Sequence, residues 1–92
     1  MKEITISDVR AAIDAMNDEE LSKEIAGLSD EALLDMSFRD DFDMDSLEVI
    51  EVAMELERKK QISIPDESVV NFNENGGTVK AMIEEINRVI GE

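Results

Sequence analysis

The sequence has no cysteine, histidine, tryptophan or tyrosine, and only one proline. Each absence removes a class of function. Without cysteine there is no disulfide and no thiolate-held metal. Without histidine the commonest general base and neutral metal ligand are missing. Aromatic residues make up 3% of the chain, so the core has to be aliphatic, with Phe38, Phe42 and Phe72 as its largest pieces. Positive charge is scarce as well: 9 Lys plus Arg stand against 24 Asp plus Glu, a formal net charge of -15. Such a chain repels nucleic-acid phosphates and anionic lipid surfaces, and is steered toward basic patches on other proteins. The opening Met1-Lys2-Glu3-Ile4-Thr5 lacks the apolar run of a secretion signal, and no stretch is long enough to cross a bilayer. The expectation is a cytoplasmic monomer with no nucleic-acid partner and no membrane insertion. With 92 residues there is length for a single domain, 1–92, and little room for a deep substrate cleft.

What is present is helical periodicity. Ser7 is a candidate N-cap with Asp8 in the first turn, and Val9, Ala12, Ile13 and Met16 recur at i, i+3, i+4 and i+7. Asn17-Asp18 interrupts this pattern. Leu21, Ile25 and Leu28 then continue the spacing, and Gly27 ends it. A short helical stretch follows Ser29-Asp30, with Leu33, Leu34 and Met36 facing inward. Residues 36–45 read as a loop anchored by Phe38 and Phe42. The strongest helix signal starts at Asp45 and runs to Arg58 or Lys59. Asp45 with Glu48 has capping-box spacing, and Met44 with Val49 has the spacing of a hydrophobic staple. Ile62-Ser63-Ile64 alternates until Pro65 ends any extended piece. Asp66 can cap a short turn through Val69 and Val70, and Asn73 to Gly77 is turn chemistry. Thr78 caps a last helix, with Val79, Met82, Ile83, Ile86 and Ile90 as its apolar stripe. The pattern predicts an all-α fold, a small bundle of three main helices plus one or two short ones.

On the helix from Asp45 to Arg58, a rotation of about 100° per residue gathers Val49, Val52, Ala53 and Leu56 on one side, as a core face. Leu47 and Met54 fall on nearly the opposite side, about 20° apart by the same rotation. They stand among Glu48, Glu51 and Glu55, and Ile50 lies at the margin. Single exposed apolar residues are ordinary. Two large ones in an acidic field also suit a docking surface, with acids for steering and an adaptable methionine for contact. Ser46 takes the first helical position. Backbone N–H groups there lack intrahelical acceptors and the helix dipole favours an anion, so a phosphate ester on Ser46 would be well placed, with Asp43 and Asp45 opposing it.

The run Ser37-Phe38-Arg39-Asp40-Asp41-Phe42-Asp43-Met44-Asp45-Ser46-Leu47-Glu48 resembles the modification region of acyl carrier proteins, whose Asp-Ser-Leu core stands here as Asp45-Ser46-Leu47. Val49 to Glu57 is similar to that family's second helix. Ile64-Pro65-Asp66-Glu67 is similar to the stretch before its short third helix, and Thr78-Val79 to the opening of its last one. The resemblance covers residues 37–90, and the N-terminal helix only by general pattern. It implies a non-enzymatic carrier. The residue at Ser46 would receive 4′-phosphopantetheine from coenzyme A, flanked by Asp45 and Leu47, and the arm's thiol would hold acyl groups as thioesters for fatty-acid or polyketide-type enzymes. It further implies that Leu47, Glu48, Ile50, Glu51, Met54 and Glu55 meet basic patches on a phosphopantetheinyl transferase and on the synthase enzymes. Val49, Ala53, Leu56, Ile86 and Ile90 are the expected lining if cargo lies between the helices.

The chain also departs from that family. Asp43 stands where Gly is common, and Lys60, inside Arg58-Lys59-Lys60, stands where an aromatic is frequent. An extra helix fits between Asp18 and Met36, and Asn73 to Gly77 is longer than usual. Two other readings remain at this stage. One is a non-catalytic acidic adaptor that keeps the fold without the arm. The other is a calcium-binding helical protein, since Asp41, Asp43 and Asp45 alternate as in an EF-hand loop. That loop needs Gly at its sixth position and an acid at its twelfth, where this chain has Ser46 and Val52.

Overall fold

The computed structural model describes residues 3–74 and 76–91, and among them six helices form in the order α1 (Ile6–Asp14), α2 (Glu19–Ala26), α3 (Asp30–Leu34), α4 (Ser46–Lys60), α5 (Asp66–Glu74) and α6 (Val79–Ile90). The all-α bundle expected from the periodicity is the fold. Five of these helices begin at a Thr, Asp or Ser whose side chain accepts a backbone N–H three residues on: Thr5, Asp18, Ser29, Asp45 and Thr78. This satisfies one of the donors that a helix start leaves without a partner.

Two starts differ from the sequence reading. The cap of α1 is Thr5, not Ser7. Asp8 returns the bond by accepting the Thr5 N–H at 2.8 Å, a full capping box that places Ser7 inside the first turn. Asp66 is the first residue of α5 rather than its cap, and the helix runs on through Asn73 and Glu74 into the expected turn. Phe72 explains that extra length. It is 2% exposed and meets Phe38 edge-on, with ring centroids 6.1 Å apart, so the added turn carries an aromatic into the core.

Asn17 adopts a left-handed φ of 61°, which breaks the first periodic run into α1 and α2. The two pack against each other and are linked by one side chain. Arg10 donates to the Ile25 and Leu28 carbonyls at 2.9 and 2.8 Å and to the Asp30 carboxylate at 3.0 Å. It thereby closes the end of α2 and ties it to the start of α3. With α1, α2 and α5 at 9, 8 and 9 residues, none reaches the roughly 12–15 residues that an isolated helix needs, so burial decides their stability.

That burial is shared. Val9, Ala12 and Ile13 of α1 face Val49, Val52, Ala53 and Leu56 of α4, and Val79, Met82 and Ile86 of α6 complete the interior with Leu33, Phe38 and Phe72. The chain ends are joined too: the Asn87 side chain accepts the Ile4 N–H at 2.7 Å and donates to its carbonyl at 3.0 Å. Ile62 and Ile64 are half-buried against the core without forming a strand.

Candidate functional site

The segment from Ser37 to Asp45 is irregular in outline and fixed in detail. Its start is bound to the α5–α6 junction: the Phe38 N–H donates to Gly77 at 3.1 Å, and the Val79 N–H to Met36 at 2.9 Å. Ser37 and Thr78 form an antiparallel bridge there. The Asp41 carboxylate accepts the Ser37 N–H at 2.7 Å, and the Met44 N–H donates to the Phe38 carbonyl at 2.9 Å. Phe38 and Phe42, the expected anchors, are buried, and so is Met44. The chain then turns at Asp43, whose φ of 54° lies in the left-handed region that favours glycine. The position where the resembling family commonly has Gly is therefore one where the backbone has a physical use for it.

Asp45 and Glu48 form the predicted capping box. The Glu48 N–H donates to Asp45 at 2.8 Å and the Asp45 N–H to Glu48 at 3.3 Å. Capping is thus done by the residues on either side of Ser46, and Ser46 itself is exposed at the first position of the 15-residue α4. An ester phosphate on its hydroxyl would lie at the start of a long helix, whose backbone dipoles favour an anion. The donor set therefore fits the group that the resemblance implies.

The outward face of α4 is as the helical rotation requires. Leu47 is 69% exposed, Met54 58% and Ile50 39%, while Val49, Val52, Ala53 and Leu56 are buried. Glu51 is exposed, and Glu48 and Glu55 are half-exposed between the apolar side chains. Arg58 pairs with Glu55 one turn below. At the far end Lys60 reaches Asp8 of α1 at 3.5 Å, so the basic run that departs from the family pattern braces α4 against α1. Gln61 closes the helix in a left-handed conformation with φ of 54°.

The three alternating carboxylates that suggested an EF-hand loop are already engaged or turned. Asp41 and Asp45 accept backbone N–H groups, and Asp43 sits at the left-handed turn. Among the described residues no group of three or more His, Cys, Asp or Glu side chains is arranged to hold a metal ion. None of the described helices is long and apolar enough to cross a membrane.

Two further features escaped the sequence reading. Ala15 and Met16, at the end of α1, form a groove of about 310 Å³ with Glu51, Met54 and Glu55 of α4. In the sequence Met16 reads only as a member of the apolar stripe of α1, and nothing local to it reveals its neighbour. The second is Glu85, a buried carboxylate on α6. Arg88 grips it through two nitrogens at 3.2 and 2.8 Å, and Asn71 of α5 donates to it at 3.3 Å. The Arg88 hydrogen bond holds its carboxyl below the usual glutamate value, against the opposing effect of burial, with help from Asn71 and Ser68.

The sequence model of the family described as "Phosphopantetheine attachment site" matches residues 19–86, which takes in α2, the Ser46 segment, α4, α5 and most of α6. The chain belongs to this family of phosphopantetheine-bearing carriers. Its relatives carry the corresponding name. An acyl carrier protein of Exiguobacterium sibiricum is 42% identical over 78 residues, covering 85% of this chain and 89% of the relative. An acyl carrier protein of Kineococcus radiotolerans is 41% identical over 61 residues, covering 65% and 75%. The meromycolate extension acyl carrier protein of Mycolicibacterium aurum is 36% identical over 61 residues, covering 65% and 63%. No solved structure matches. The cofactor of this carrier is a covalently attached 4′-phosphopantetheine, and the protein acts as a carrier rather than a catalyst.

Proposed function

We propose that this acyl carrier holds its arm on Ser46 and delivers acyl thioesters to fatty-acid or polyketide-type biosynthetic enzymes in the cytoplasm, acting as a monomer of one domain. The observation that carries the reading is the exposed Ser46 hydroxyl at the first position of α4, inside the matched region and framed by the Asp45–Glu48 capping box. When attached, the arm supplies a thiol that the chain itself lacks. Everything else is the work of this chain's residues. Asp45 fixes the start of α4, so the hydroxyl meets an approaching transferase at one defined angle. Leu47, Ile50 and Met54 offer apolar contact, and Glu48, Glu51 and Glu55 supply the field that draws in basic surfaces.

The same framework offers cargo a place. Val49, Leu56 and Ile86 lie in the shared core, with Ala53 buried beside them and Ile90 half-buried at its edge. An acyl chain entering between α4 and α6 would move the methyl resonances of these residues. Identical methyl spectra for acylated and unacylated protein would mean that cargo stays outside.

The attachment is tested by intact-mass spectrometry after incubation with coenzyme A, magnesium and a phosphopantetheinyl transferase of broad specificity. The parent should gain one phosphopantetheine and Ser46→Ala none. A gain that survives in Ser46→Ala would move the attachment elsewhere, and no gain in the parent with several transferases would favour the adaptor.

A further inference from the structure

We infer that the docking surface does not end at the edge of α4 but continues into the groove between α4 and the end of α1. There it receives one flexible apolar side chain from a cationic protein surface approaching Ser46. This rests on the carrier reading above and extends it to residues of α1. The groove, about 310 Å³, is lined by Ala15, Met16, Glu51, Met54 and Glu55. Its lining combines three apolar side chains with two carboxylates. Met54 is 58% exposed and lines the groove. Met16 packs against the core on one side and lines the groove on the other. Two unbranched, polarisable thioethers facing one groove make an adaptable socket for an aliphatic or aromatic side chain.

The charges argue for what surrounds that side chain. Glu51 is exposed and has no ion pair among the described residues, whereas Glu55 is held by Arg58. The lining therefore leaves Glu51 for a cation from outside, and a chain with a net charge of -15 selects a basic partner. The reach is right as well. Met54 lies eight residues beyond Ser46, or about 12 Å along the helix at 1.5 Å per residue. A contact patch of ordinary size, about 800 Å² on each partner, spans both. The contact is thus continuous with Leu47 and Ile50, and the occupant is part of the same protein that engages the serine. The small side chain at Ala15 keeps the groove open.

Ala15→Leu and Ala15→Glu should each fill it. The test is steady-state modification of the full chain by a phosphopantetheinyl transferase with coenzyme A and magnesium. Both variants should raise KM for the chain about fivefold or more with kcat unchanged, the pattern of lost uniform binding. Ala15→Glu also makes the chain more acidic, so steering by charge alone would lower its KM instead. Unchanged or lower KM in both variants overturns the groove while leaving the carrier reading intact. No modification of the parent overturns the carrier reading and the groove with it.

A second measurement needs no variant. Unlabelled transferase is added to chain labelled with ¹³C at the methionine methyls. Met16 and Met54 should shift together, while Met82, buried in the core, stays in place. A shift of Met54 with Met16 unmoved would confine docking to α4 and overturn the inference.

Discussion

Asp43 is a residue held where its own geometry resists. At φ of 54° an L-side chain crowds its backbone, at a cost of about 1–2 kcal/mol that Asp and Asn reduce by local hydrogen bonding. Ala tolerates the left-handed region less well than Asp does, so Asp43→Ala should lower stability by about 0.5–1 kcal/mol. Asp43→Gly removes the strain and a negative charge beside Ser46, and should be at least as stable as the parent despite the added freedom of its unfolded chain. Urea midpoints check both, and a glycine variant less stable than the alanine variant would refute the account. Glu85 gives a residue-scale prediction in pH. Its carboxyl is held below the ordinary value, so its ionised form favours the folded state. That contribution is fully present above the unfolded-state pKa, near 4.3, and is lost as pH falls through the lower folded value. The gap in melting temperature between parent and Glu85→Gln should therefore be widest near neutrality and shrink as pH drops below the ordinary glutamate value. A gap independent of pH would mean that Glu85 acts through shape and hydrogen bonding alone.

At the scale of the element, α4 is the helix whose start matters most. Asp45→Ala removes one half of its capping box and should cost about 1 kcal/mol in chemical unfolding, a loss that Asp45→Asn should largely restore. That start was legible in the sequence because a capping box is local: Asp45, Glu48, Met44 and Val49 lie within six residues, and the backbone bonds follow from spacing alone. The outward set of Leu47, Ile50 and Met54 was legible for a similar reason, since one helical period fixes which residues oppose the core. The same locality explains the misplaced cap at Thr5. Ser7 and Thr5 are both good caps by type, and the choice fell to Asp8, which reaches back to the Thr5 N–H. The length of α5 was not legible, because Phe72 packs into a core whose other aromatic contact, Phe38, lies 34 residues earlier in the chain and outside any local window. Arg10 is the clearest case of non-local information. As a charge in an amphipathic helix it looks like solvent-facing surface, yet it holds the carbonyls of Ile25 and Leu28. Arg10→Met keeps the aliphatic stem and removes a donor from both carbonyls, of which Ile25 still accepts the Leu28 N–H, so it should loosen α2 by about 1–3 kcal/mol. Hydrogen exchange would show this as faster exchange of α2 amides with those of α4 unchanged, and equal loss in both helices would contradict it.

For the whole molecule the governing quantity is charge. A net charge of -15 is carried on a body of 35 × 25 × 24 Å, so many like charges lie within reach of one another at low salt. At about 0.1 M salt the screening length is about 10 Å, shorter than every dimension of the protein. Adding salt should therefore relieve self-repulsion in the folded state more than in the expanded chain. If the relief is about 1 kcal/mol, the melting temperature should rise by about 4–8 °C for a domain of this size. The few ion pairs work in the other direction. Arg10–Asp30 and Lys60–Asp8 weaken with screening, but such partly exposed pairs are worth about 1 kcal/mol each at most, and those among the described residues do not offset an acidic excess of this size. The proposed docking would respond with the opposite sign, because the field that strains the fold is the one that would attract a basic partner. Raising salt from about 10 to 200 mM, a range that shortens the screening length severalfold, should thus raise the melting temperature and raise KM for the transferase together. Melting that is insensitive to salt, with KM still rising, would show that the acids are spaced so that they steer partners without straining the bundle, and the cost assigned here to the excess charge would have to be withdrawn.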